Sequence, residues 1–141
     1  MSFNLEKVLN DLVNYFENDL HLTVEAKIED GKVLLTSDCM IDNFCNDVFL
    51  SLVVNERFTS AALYFDVLKE DDDLYKLLNL INANSVGFKA SIEDKVIEFD
   101  NCAPTLSDDD VVLNVSNFLD ELIDDELSDL MDELSLYLLN E

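Results

Sequence analysis

Basic residues are scarce in this chain, and they stop early. Eight lysines and arginines face 32 aspartates and glutamates, and the last of the eight is Lys95. Contacts with DNA or RNA phosphates need clusters of Lys and Arg, so direct nucleic-acid binding is excluded. An anionic membrane surface is disfavoured for the same reason, and cationic partners are favoured. Glycine occurs twice and proline once. That rules against a glycine-rich phosphate cradle and predicts long regular elements with few elaborate loops. His21 is the single histidine. A catalytic triad or a zinc site would need more nitrogen or thiolate ligands, and His21 reads as a surface or boundary residue. The three cysteines, Cys39, Cys45 and Cys102, are odd in number and form no Cys-x-x-Cys. Free thiols in a reducing compartment are the expectation. No apolar stretch approaches the roughly 20 residues of a membrane span. No N-terminal run has the charge-then-apolar build of a signal peptide. The sequence therefore predicts a soluble, cytoplasmic protein.

What is present is an apolar core and a graded charge. Apolar residues make up 49% of 141 residues, which suits one domain over 1–141 and is too much for a disordered acidic tail. The formal net charge is -24. After Lys95 there are 14 acids and no base; up to and including it, 18 acids are set against all 8 bases.

Periodicity divides the chain into helices and strands. Ser2 or Asn4 caps a first helix to about Asn18, with Leu5, Val8, Leu9, Leu12, Val13 and Phe16 inward. Leu22 to Ile28 then alternates as a half-exposed strand. Asp30-Gly31 is a hairpin turn and Val33–Thr36 the return strand. Asp38 to Asn46 reads as a connection with Met40, Ile41 and Phe44 tucked under it. Val48–Val54 is nearly continuous in apolar residues and reads as a central strand. Phe58 to Leu68 is the next strand. Glu70 to Asp73 places acids at the start of a helix over Leu74 to Ala83, where the dipole favours them. Phe88 to Ile92 and Val96 to Phe99 form a second hairpin, stopped before Pro104 because proline cannot donate to the ladder. The order α-β-β-β-β-α-β-β-α predicts an α+β fold: a mainly antiparallel sheet of about six strands, with helices on one face.

The last third is the most one-sided stretch. Ser107 caps a long helix, with Asp110 three residues on as in a capping box. Val112, Val115, Phe118, Leu119, Leu122, Ile123, Leu127, Leu130, Met131, Leu134, Tyr137 and Leu138 form its apolar stripe. The opposite side carries Asp120, Glu121, Asp124, Asp125, Glu126, Asp129, Asp132 and Glu133. The helix runs unbroken or kinks near Asp124-Asp125. Acids at i,i+4 without basic partners repel by a few tenths of a kcal/mol per pair. A face that keeps them is either a solubilising surface or the seat of a basic partner.

Leu74 to Phe99 also carries a likeness. Leu-Tyr-Lys-Leu-Leu-Asn-Leu-Ile-Asn, then Val-Gly-Phe-Lys-Ala-Ser-Ile, then a short return strand, set between the flanking helices, resembles the type III secretion chaperone-like fold group, which includes the YbjN-type proteins. The resemblance spans nearly the whole chain as pattern and transfers no functional residue. It implies a small acidic cytoplasmic protein, often a dimer, that binds another polypeptide.

No reaction is legible. Carboxylate pairs are too many to single one out for acid–base work, which needs two separated environments in a cleft. Asp71-Asp72-Asp73 and Asp108-Asp109-Asp110 lack the spacing and central glycine of a calcium loop. No catalytic residue, cofactor site or metal site is assigned. The expected function is a non-enzymatic, acidic, chaperone- or adaptor-like module that engages a basic or partly apolar polypeptide through the eight acids above. The alternative is a DNA mimic of phage type, an inhibitor whose carboxylates stand in for phosphates in the groove of a nuclease or other DNA-binding protein.

Overall fold

The computed structural model describes residues 3–40, 47–85, 87–122 and 125–137. Six strands form one antiparallel sheet: β1 (Val24–Glu29), β2 (Lys32–Met40), β3 (Asp47–Val54), β4 (Phe58–Asp66), β5 (Lys89–Glu93) and β6 (Val96–Pro104). Their spatial order is β1-β2-β3-β4-β6-β5. Helix α1 (Leu5–Asn14) precedes the sheet and α2 (Asp72–Asn84) joins β4 to β5. Two helices, α3 (Val111–Leu122) and α4 (Asp125–Ser135), follow β6.

Side-chain alternation sorts the sheet into two faces. Val33, Leu35, Val48, Leu50, Leu52, Val54, Ala61, Leu63, Phe65, Ile97 and Phe99 are buried on one of them. The helices close over that face with Val8, Leu12, Leu74, Ile81, Val115, Phe118, Met131 and Leu134, and all of these belong to one cluster. Phe99 sits at its centre, 5.1 Å from Phe65 and 5.0 Å from Phe88 between ring centroids. Thr59 and Thr105 are buried but bond each other at 2.9 Å, so neither hydroxyl is left unsatisfied.

Local chemistry explains the ends of the elements. Asn4 caps α1 by accepting from the Lys7 amide, and Asp71 caps α2 by accepting from the Leu74 amide at 2.9 Å. After Asn14 the first helix widens into a π turn over Tyr15–Asp19, so the predicted reach to Asn18 is met by a different hydrogen-bond pattern. His21 then takes φ 57 and turns the chain into β1. The hairpin turns use left-handed residues: Asp30 (φ 52) and Gly31 (φ 75), then Asp94 (φ 52) and Lys95 (φ 64). Lys95 has a Cβ and is braced there, since its amide donates to Glu70 Oε1 at 2.9 Å.

Three expectations are corrected. The strand after the second turn does not stop at Phe99; β6 runs to Pro104, which pairs with Phe58. The Thr105 amide donates to the Arg57 carbonyl at 3.0 Å, so Pro104 occupies a non-hydrogen-bonded position where no N–H is required. The connection placed at Asp38 to Asn46 begins later, because β2 continues to Met40; Ile41 and Phe44 lie outside the described residues. Helical segments Val111–Leu122 and Asp125–Ser135 lie on either side of the Asp124-Asp125 position where the sequence allows either an unbroken helix or a kink, and positions 123–124 are also outside the described residues. Ser107 makes no side-chain cap; it precedes a 3-10 turn over Asp108–Asp110.

One edge of the sheet is closed by a side chain. Ala90 points its backbone away from β6, and Asn82 of α2 meets both groups. The Asn82 amide donates to the Ala90 carbonyl at 2.9 Å, and the Ala90 amide donates back to Asn82 Oδ1 at 2.6 Å. Asn82→Ala leaves that pair open, and equilibrium urea unfolding should show a loss of about 1–3 kcal/mol.

Candidate functional site

The acids singled out from the sequence sit on two helices. Asp120 is exposed on α3. Glu121 is half-buried and leans on the backbone turn after α2: a Cβ built on Gly87 would lie 3.4 Å from Glu121 Cγ. Glu121 therefore packs as well as faces water, which its place in the acidic stripe did not reveal. Asp124 lies outside the described residues. Asp125 and Glu126 belong to the first turn of α4. Asp129, Asp132 and Glu133 are exposed on the same helix. Asp120 and Glu121 belong to α3 and Asp125 to α4, and the relations Asp120/Asp124 and Glu121/Asp125 run through positions 123–124, which lie outside the described residues. The i,i+3 and i,i+4 relations within Asp125, Asp129, Asp132 and Glu133 do hold, since all four belong to α4.

Among the described residues the ion pairs are made by Lys7 with Asp11, Asp108 and Asp109, by Lys27 with Glu29 and by Lys69 with Asp71. None involves Asp120, Asp129, Asp132 or Glu133. The acidic run before α3 has another role. Lys7 Nζ lies 2.5 Å from Asp109, 3.0 Å from Asp11 and 3.9 Å from Asp108. The Asn4 amide also donates to Asp108 at 3.3 Å. Hydrogen bonds that Lys7 donates to Asp109 and then to Asp11 raise its ammonium above the ordinary range. Asp108 and Asp109 thus fasten the start of α1 to the chain entering α3. Among the described residues no three His, Cys, Asp or Glu side chains group as a metal site would require.

Beside the acids of α4 is an apolar hollow of about 460 Å³, lined by Leu68, Lys69, Glu133, Leu136 and Tyr137. Leu136 is 79% exposed and Leu68 54%. The Leu68 amide donates to the Tyr137 carbonyl at 2.8 Å, which ties the end of the C-terminal segment to the exit of β4. Leu136 points outward and does not close the core; Leu138 and Leu139 lie outside the described residues.

A second anionic group was missed. Glu98 and Asp100 alternate with the buried Ile97 and Phe99, so they share the uncovered side of β6. Their registers are Tyr64↔Glu98 and Ala62↔Asp100 on β4, and Lys89↔Asp100 on β5. Burial and then a hydrogen bond with Glu98 hold the Asp100 carboxyl above the usual carboxylate range. A hydrogen bond with Glu98 likewise raises the Tyr64 phenol. The signal was the i,i+2 spacing of two acids within a strand, and it is easily lost in a chain this acidic.

The fold, a six-stranded antiparallel sheet with its helices on one face, has known counterparts. Comparison with solved structures finds YbjN of E. coli, described as a candidate transcription regulator. It is 15% identical, with 93% of this chain and 96% of that one covered and a TM-score of 0.55. The same comparison finds the Yersinia pestis type III secretion chaperone SycH in complex with a stable fragment of YscM2. That match is 14% identical, covers 85% and 98% of the two chains and has a TM-score of 0.46. The likeness to YbjN shows that the chain has a YbjN-like fold. No family model matches, and no curated protein matches.

The Glu98–Asp100 contact carries a pH signature. A carboxyl raised in the folded state stabilises the fold while protonated and loses that contribution as pH rises through its folded value. Asp100→Asn removes the charge that burial and Glu98 oppose. Thermal unfolding should show the variant melting above the parent near pH 7, with the difference shrinking toward about pH 3.

Proposed function

We propose that this protein is a non-enzymatic, chaperone- or adaptor-like binding module that captures a basic, partly apolar polypeptide on its C-terminal helices. The observation that carries the reading is the state of Asp120, Asp129, Asp132 and Glu133. They are exposed and, among the described residues, in no ion pair. Like charges one turn apart on α4 repel, and a cationic partner relieves that repulsion. The hollow at Leu68, Leu136 and Tyr137 adjoins Glu133, so an apolar contact and a charged contact are available side by side. Such a pairing suits a partner segment in which Lys or Arg alternates with large apolar side chains. The YbjN-like fold is compatible with this role without specifying it. The protein acts in the cytoplasm and makes or breaks no covalent bond.

The DNA-mimic reading has one observation in its favour, the same run of unpaired carboxylates. An 11-residue helix is only about 16 Å long. That spans few phosphates at about 3.4 Å of rise per nucleotide along a strand.

The test is capture of the partner from a host lysate at about 0.1 M and about 1 M salt. Parent protein is compared with the variant Asp120→Asn, Asp129→Asn, Asp132→Asn, Glu133→Gln. The module reading expects the parent to retain partner at high salt through its apolar contact, and the variant to lose at least about tenfold in affinity, or about 1.4 kcal/mol. Unchanged binding by the variant refutes a role for this face. Complete loss at high salt, with displacement by duplex DNA, selects the mimic instead.

A further inference from the structure

The helices cover one side of the sheet, and among the described residues no helix lies on the other. The centre of this open side is uncharged and its side chains are small or aliphatic. Leu34 is paired with Val53, Val53 with Ser60, and Ser51 with Ala62. Phe49 and Tyr64 stand together at one end, centroids 6.3 Å apart, with Phe49 44% exposed. Beside Tyr64 and Ala62 run Glu98 and Asp100, in the closely spaced, non-hydrogen-bonded registers of the β4–β6 ladder. Strands about 4.8 Å apart with a rise of about 3.3 Å per residue give the face a projected area on the order of 600 Å². That approaches the ~800 Å² per partner of a stable interface.

We propose that this open sheet face is a second docking surface, occupied by a basic amphipathic helix of a partner polypeptide. The helix lays its apolar stripe on Val53, Ser51 and Ala62 against Phe49 and Tyr64, and its Lys or Arg side chains meet Glu98 and Asp100. Charge selects this occupant. A second copy of the chain brings another -24 to the contact, whereas a cationic helix brings the complement. Small side chains at the centre make a shallow bed for a helix, and the carboxylates stand along one border of it. The inference rests on the reading that the protein binds polypeptides, but it places the contact away from α4.

Cys102 provides the readout. It is an exposed free thiol on this same side, in register with Ser60. The probe is a synthetic helix-forming peptide of leucine and lysine, about 18 residues or five turns long and patterned with one apolar stripe. Alkylation of Cys102 by iodoacetamide is followed by mass spectrometry of its peptide. Saturating probe should slow Cys102 alkylation at least about tenfold. Phe49→Asp and the milder Ser60→Asp should each weaken the probe at least about tenfold, with circular dichroism confirming that each is folded. Both changes add negative charge, so attraction by charge alone would tighten binding.

An unprotected Cys102 with the probe bound, or variants that bind as well or better, overturns the proposal and leaves the α4 reading standing. Protection of Cys102 that grows with protein concentration in the absence of probe assigns the face to a second copy and also overturns it. Failure of every form to bind either the probe or a captured partner refutes this surface and the α4 reading together.

Discussion

Strict alternation along six antiparallel strands governs the arrangement of this protein. A strand offers successive side chains to opposite sides, and among the described residues helices pack only one side of this sheet. Every register shift of one residue would carry Leu50, Leu52, Leu63 and Phe99 from the core into water. The hairpin turns hold that register with left-handed residues at Asp30-Gly31 and Asp94-Lys95. The helices inherit their positions from it, since α1, α2, α3 and α4 bury their stripes against the same apolar layer. Exposed acids on α4 and alternating acids on β6 are consequences of the same sorting.

Charge is distributed with as much consequence as apolar area. The bases fall in the first 95 residues, where Lys7, Lys27 and Lys69 pair with nearby acids. Lys7 reaches three carboxylates and joins the start of the chain to the entry of α3. Beyond Lys95 no base is available, and the exposed carboxylates of α3 and α4 are left to solvent and partners. A net charge of this size raises the on-rate for cationic partners and rejects anionic ones. Apolar surface at Leu68, Leu136 and Phe49 supplies the contact that charge alone does not.

Much of the fold was legible in the sequence because local signals agreed with one another. Period-two alternation marked Phe88–Ile92, period-3.6 stripes marked the helices, and Asp30-Gly31 marked the first hairpin. The misreadings have physical causes. Proline at position 104 reads as a strand stop, yet its position in the ladder requires no donor. The long C-terminal stripe steps normally through Leu122 to Leu127, so periodicity leaves an unbroken helix and a kink near Asp124-Asp125 equally open. Val48–Val54 looked apolar throughout, which hid its two faces: Leu50 and Leu52 are core, while Phe49 lies on the open side. The acids of α4 could be read directly, but Glu98 and Asp100 could not be told apart from the chain's other carboxylates without knowing which strand side was left uncovered.

The most direct measurement is carboxyl footprinting of the complex with its captured partner: carbodiimide coupling of Asp and Glu, mapped residue by residue by mass spectrometry. A partner held by anionic surface should shield Asp129, Asp132 and Glu133 while leaving the turn acids Asp30 and Asp94 as reactive as in the free protein. Shielding confined to the hairpin turns, with α4 as reactive as before, would contradict the account.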